Sequence, residues 1–192
     1  MKSNLKALIP KSIILIGMPG VGKSTVGVLL AKALSRDFLD TDVYIQAKEG
    51  RTLQEIIDQE GLSAFCQTEE RHVRSLKFRS SVIATGGSVV YYPAAMAHLR
   101  SSGIIIHLEL ALAPLKKRLT NLPARGVVMA PGQSFNHLFH ERLPLYRKYA
   151  HLTIDCAGCT HEEVVAEIIR RLNGWAPPFS SKTDGKKPLG RR

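Results

Sequence analysis

Cysteine is scarce and odd in number: Cys66, Cys156 and Cys159 cannot all pair, which argues against a disulfide scaffold. Cys156 and Cys159 make a lone C-x-x-C, and a zinc site would want a second such pair, which the chain lacks. A redox reading stays open, because Thr160 and Glu163 look like a capping box and a helix start there would lower the Cys159 thiol pKa. The other reading is two ordinary turn cysteines. Long apolar runs are missing too. None approaches the roughly 18 residues that cross a bilayer, and the N-terminus has no signal-like apolar core, so no membrane association is expected and the protein reads as soluble and cytoplasmic. Acidic residues are outnumbered, 16 Asp and Glu against 27 Lys and Arg, for a formal net charge of +11. The excess is local. Residues 115–148 hold seven Lys or Arg against one Glu, and residues 174–192 five against one Asp. The first cluster suits a polyanionic ligand. The second lies in a stretch of Pro, Ser, Lys and Gly that is expected to be a disordered basic tail. Aromatic residues are few, 6% with a single Trp. With neither a patterned basic face nor an aromatic stacking platform, nucleic acid is not an expected partner. A monomer is expected, with residues 1–173 as one domain large enough to bury about 70% of its unfolded surface.

What is present is more specific. Gly17-Met18-Pro19-Gly20-Val21-Gly22-Lys23-Ser24 is a full match to the phosphate-cradling pattern G-x-x-x-x-G-K-[ST]. Ile13-Ile14-Leu15-Ile16 before it reads as a strand buried on both faces, and Thr25 to Leu34 after it has helical spacing. That strand-to-helix context is what the pattern requires. Glycines let backbone N–H groups converge on phosphate beside the positive end of the following helix. Lys23 reaches the β/γ phosphates, and Ser24 is in position to ligate Mg²⁺.

Along the chain, Phe38-Leu39-Asp40-Thr41-Asp42 reads as a second strand ending in two carboxylates. Residues 43–80 read as mainly helical, broken at Gly50 and Gly61. Val82 to Thr85 is a buried strand opening on Gly86-Gly87-Ser88, Pro93 to Leu99 a helix with Pro near its start, Ile104 to Leu110 another buried strand, and Ala113 to Leu119 a helix. Residues 120–135, with Pro123, Gly126, Pro131 and Gly132, read as a mobile loop. Ser134 then caps a helix running through Arg142 that Pro144 interrupts or restarts. A strand at 152–154 and a helix at 162–172 complete the domain. The alternation predicts an α/β fold, a parallel sheet sandwiched by helices, with ligands at the carboxyl ends of the strands. That rule gathers the phosphate loop, Asp40, Asp42, Gly86 and Gly87 around one crevice.

The pattern N-K-x-D for guanine is absent, which weakens a GTPase reading. The pair Asp40-x-Asp42 is more telling. On a strand, alternate residues share a face, so one carboxylate can sit over a metal while the other reaches an acceptor hydroxyl. Phosphoryl transfer needs cations closing over the triphosphate, and Arg125 in the loop, flanked by Arg118 and Arg142, is the natural candidate. His137 and His140 read as exposed.

In order along residues 12–172, G-M-P-G-V-G-K-S-T-V-G, L-D-T-D, I-A-T-G-G, a loop arginine and E-R-L-P-L-Y resemble the shikimate kinase family. The resemblance implies a nucleoside-monophosphate-kinase-like fold with a closing lid, at about 119–137, and transfer of phosphate from ATP to the 3-hydroxyl of shikimate. It implies that Gly17, Gly20, Val21, Gly22, Lys23, Ser24 and Thr25 hold the ATP phosphates, and that Ser24 and Asp40 serve Mg²⁺. Asp42 would hold substrate hydroxyls and act as base, Gly86 and Gly87 would contact substrate through backbone, and Arg142 would bind its carboxylate. Arg118 would lie against the adenine, with Arg125 as the lid arginine. Two positions depart from the family. Where it reads F-R-x-x-E, this chain has Phe65-Cys66-Gln67-Thr68-Glu69, and its third glycine is Ser88 here. Arg71 or Arg74 could reach in for the missing arginine. The acceptor side therefore also admits another small hydroxylated metabolite, or a nucleotide-binding regulator without turnover.

Overall fold

Four apolar residues in a row fit a strand only where both of its faces are covered. The computed structural model describes residues 12–119, 127–130 and 132–174, and in it Ile13–Ile16 (β1) is fully buried at the centre of a five-stranded sheet. Val82–Ala84 (β3) and Ile104–Glu109 (β4) flank it. Phe38–Asp40 (β2) lies outside β3 and Leu152–Asp155 (β5) outside β4, so the order is β2-β3-β1-β4-β5 with every pairing parallel. Each buried Ile or Leu of β1 contributes roughly 1.5–3 kcal/mol by leaving water. The predicted sandwich is what forms.

The helices are Lys23–Leu34 (α1), Thr41–Glu49 (α2), Leu53–Ser75 (α3), Pro93–Ser102 (α4), Leu112–Arg118 (α5), Phe135–Tyr149 (α6) and His161–Asn173 (α7). α1 packs against α7, and α3 against α4. α2 ends at Gly50 with φ 67, and α3 kinks at Gly61 with φ 85, so both glycines break the helical stretch as expected. Thr160 and Glu163 form the expected capping box on α7. Ser134 caps α6 by accepting a hydrogen bond from His137 N–H at 3.2 Å.

Two expectations need correction. Pro144 neither interrupts nor restarts α6, which runs unbroken from Phe135 to Tyr149. A proline removes one hydrogen bond to the preceding turn, and here buried Arg142 and Tyr146 anchor the helix on either side of it. β2 stops at Asp40, and Asp42 lies in the first turn of α2. The reason is local: the Asp40 side chain caps α2, accepting from the N–H of Asp42 at 3.0 Å and of Val43 at 3.4 Å. The lead-in at 1–11, the tail at 175–192, and residues 120–126 and 131 of the expected lid, Arg125 among them, lie outside the described residues.

Beside the main core sits a small second one, made by Ile45 of α2, Leu53, Ile56 and Phe65 of α3, and Val128. It supports the wall of a cavity at the carboxyl ends of β1, β2 and β3. That is where an open parallel sheet, with its strand order reversing between the adjacent β1 and β3, leaves a crevice.

Candidate active site

The cavity has a volume of about 550 Å³, within the range of small-molecule sites. At one end is the phosphate loop. Gly22, with φ 108, precedes α1 without a side-chain cap, so the first N–H groups of the helix are left for an anion. A left-handed residue at that point suits glycine. Lys23 is buried, and its Nζ donates to the carbonyls of Gly17 at 2.8 Å and Met18 at 3.0 Å. Burial lowers its pKa to about 8, against the pull of Asp42 and Asp40. Gly20, Gly22, Lys23, Ser24 and Thr25 line the cavity. Gly17 and Val21 shape the loop from behind, each through a carbonyl: Gly17 accepts from Lys23, and Val21 from Arg118 Nη1 at 3.4 Å. Exposed Arg118 ends α5 and lines the same end of the cavity.

The Ser24 hydroxyl donates to Asp40 Oδ2 at 2.6 Å. These two hard oxygens suit Mg²⁺, which takes one or two protein oxygens together with phosphate oxygens and water. Asp42 faces the cavity from α2. Burial, with the charge of Asp40 added, raises its pKa to about 6, partly offset by Lys23.

At the other end stands Arg142 of α6, 1% exposed. Its Nε donates to the Tyr91 hydroxyl at 3.1 Å, its guanidinium lies 5.0 Å from the centre of the Tyr91 ring, and its Nη2 donates to the Val128 carbonyl at 2.5 Å. Between the ends lie Gly86 and Gly87. The Gly86 N–H donates to Thr41 Oγ1 at 2.9 Å, and the Gly87 carbonyl accepts from the Tyr146 hydroxyl at 2.7 Å. Gly86 is there for room, since a Cβ on it would come 2.3 Å from Glu69 Oε1 and 2.8 Å from Asp42 Oδ1.

In the sequence Glu69 stood out only as the last residue of Phe65-Cys66-Gln67-Thr68-Glu69, where the family's arginine is missing. It is in fact buried in the cavity wall, its pKa raised to about 7 by burial and then by Asp42. Tyr91, Tyr146, Val128 and His161 were missed altogether. Tyr146, the last residue of E-R-L-P-L-Y, carried a signal, whereas His161, which lies 3.0 Å from where a Gly22 Cβ would be, carried none. Arg71 and Arg74 do not replace the missing arginine. They line a separate depression on the outside of α3, where Arg71 pairs with Glu49 at 3.1 Å. Cys156 is a poor redox candidate, because burial pushes its thiol up to about 12.

A family model described as shikimate kinase matches residues 19–173. "Shikimate kinase 2" of Enterobacter sp. (strain 638) is 37% identical over 165 residues, covering 83% of this chain and 94% of that protein. Among solved structures, the shikimate kinase of Acinetobacter baumannii in complex with shikimate superposes with a TM-score of 0.78 at 30% identity, covering 85% of this chain and 93% of that one. The shikimate kinase of Aquifex aeolicus gives 0.74 at 31%, over 85% and 96%. Sequence, fold and cavity agree, and the chain belongs to the shikimate kinase family.

Proposed function

We propose that the protein transfers the γ-phosphoryl group of ATP to the 3-hydroxyl of shikimate, giving shikimate 3-phosphate and ADP. The observation that carries this reading is that Lys23 of α1, Asp42 of α2 and Arg142 of α6 line one cavity. A triphosphate at the loop and a carboxylate at Arg142 would then bracket a hydroxyl beside Asp42.

In this reading Gly17, Gly20, Val21, Gly22, Ser24 and Thr25 cradle the phosphates. Lys23 exchanges its two carbonyl partners for phosphate oxygens. Arg118 lies against the adenine, and Arg125 closes over the phosphates. Ser24 and Asp40 hold Mg²⁺, which when bound neutralises charge on the β- and γ-phosphates. Gly86 and Gly87 let the substrate ring approach, and Arg142 grips its carboxylate, giving up the Val128 carbonyl. As the bond from the 3-oxygen to γ-phosphorus forms and the bond to ADP breaks, the hydroxyl proton passes to Asp42. A carboxylate with a pKa of about 6 is ionised at neutral pH and still basic enough to accept it.

The test is direct. Pure protein with Mg-ATP and millimolar shikimate should release ADP and shikimate 3-phosphate in equal amounts. ADP release that does not depend on shikimate would sink the acceptor assignment and leave ATP binding standing.

A further inference from the structure

Glu69 is a carboxylate in an awkward place. It is 1% exposed, lines the cavity, and meets Asp42 over Gly86, two acids converging on one point. Among the described residues it has no ion-pair partner, though the charge of Arg142 is felt there. One turn before it on α3, where a cation could have reached it, stands the thiol of Cys66. Among the described residues the Tyr92 hydroxyl, which adjoins Glu69 and Cys66, finds no hydrogen bond of good geometry. A buried carboxylate left in this way should swing out or disorder the wall. It does neither, because the Ser88 hydroxyl, itself buried and in the cavity lining, donates to Glu69 Oε2 at 2.5 Å.

We propose that Ser88 is a positioning residue for the acceptor: its hydroxyl holds Glu69 in place of a cation, and the Ser88–Glu69 pair forms the polar wall that receives the ring hydroxyls of a carboxylated polyol opposite Arg142. The two departures from the family, Cys66 and Ser88, are then one change. A guanidinium at 66 would hold Glu69 from α3, and with a thiol there the hydroxyl at 88 holds it from the loop after β3. The acceptor is gripped by one guanidinium at its carboxylate and by hydrogen bonds to its hydroxyls, with no second clamp among the described residues. This inference rests on shikimate being the acceptor.

The experiment is steady-state kinetics of the full chain with Mg-ATP and shikimate on the parent, Ser88→Ala, Ser88→Thr, Cys66→Arg and the double variant Cys66→Arg/Ser88→Ala. Loss of a hydrogen bond to a charged group predicts that Ser88→Ala raises the KM for shikimate about tenfold. The KM for ATP and kcat should move less than about threefold. Ser88→Thr, which keeps the hydroxyl, should bring the KM back to within about threefold of the parent. In the Cys66→Arg background the cost of Ser88→Ala should shrink to under about threefold, since the two positions share one partner. A shikimate KM unmoved in Ser88→Ala, one that rises in step with that for ATP, or costs that simply add in the double variant, overturn the proposal. If Ser88→Ala shows no cooperative thermal transition, and so has lost its fold, Ser88→Gly takes its place in the same cycle. Shikimate turnover by the parent separates the two failures. Without it the acceptor reading falls and takes this inference with it, whereas turnover with an immobile KM sinks this inference alone.

Discussion

At the scale of single residues, the site puts charge where folding alone would not. Burial raises the Glu69 carboxyl from 4.5 to about 7. Between those values the folded protein binds more protons than the unfolded chain, so stability falls as pH rises through that window. Below pH 4.5 both states are protonated and the penalty is absent. Glu69→Gln should therefore be more stable than the parent by about 2–3 kcal/mol at pH 8, with the gain gone near pH 4. Urea melts across that range check it, and a gain that stays constant from pH 4 to 8 would show that Glu69 is not the titrating group. Lys23, Asp42 and Arg142 were legible in the sequence because each sits in a motif with fixed spacing. The burial of Glu69 was not, because its partner Ser88 lies nineteen residues away across a strand. The tyrosines around Arg142 were equally out of reach, since no local pattern ties Tyr91 to a helix that begins at residue 135.

At the scale of elements, the glycine breaks between residues 43 and 80 were readable and the end of β2 was not. Gly61 has φ 85 and ψ 164 inside α3, and a Cβ there would meet nothing within 4 Å. Any cost of a side chain is therefore backbone strain alone. That conformation is nearly glycine-only, so Gly61→Ala should destabilise by about 1–3 kcal/mol. A denaturant midpoint that does not fall would mean that α3 straightens without penalty. The kink matters because Leu53 and Ile56 precede it and Phe65 follows it, and all three share the small core with Val128. The pair Asp40 and Asp42 is set by an element other than the one expected. Strand alternation was expected to align them, whereas the cap that Asp40 forms on α2 sets both. Periodicity does not register a cap that ends a strand two residues early. Pro144 misled in the other direction, because the packing of Arg142 and Tyr146 that carries α6 past it is tertiary.

At the scale of the whole molecule, sequence alternation predicted a parallel sheet but could not order it, since nothing in β2 says that it pairs with β3 rather than with β1. The order makes the crevice, and the crevice couples two ligands to one fold. ATP at a hundred times its Kd should stabilise the protein by about 2.7 kcal/mol, and shikimate should add its own increment. Arg142→Ala should keep the ATP increment, measured against its own unliganded melt, and lose most of the one from shikimate. Full protection of that variant by shikimate would place the carboxylate elsewhere. The same order has a consequence for how the chain is made. β1 leaves the ribosome before either of its neighbours, since Ile13 pairs with Val82 on one side and Ile104 on the other. At bacterial-to-eukaryotic synthesis rates its second neighbour arrives roughly 5–20 seconds later. Until then this fully apolar strand has at least one edge uncovered, so the nascent chain, rather than the finished enzyme, is the form most in need of a chaperone.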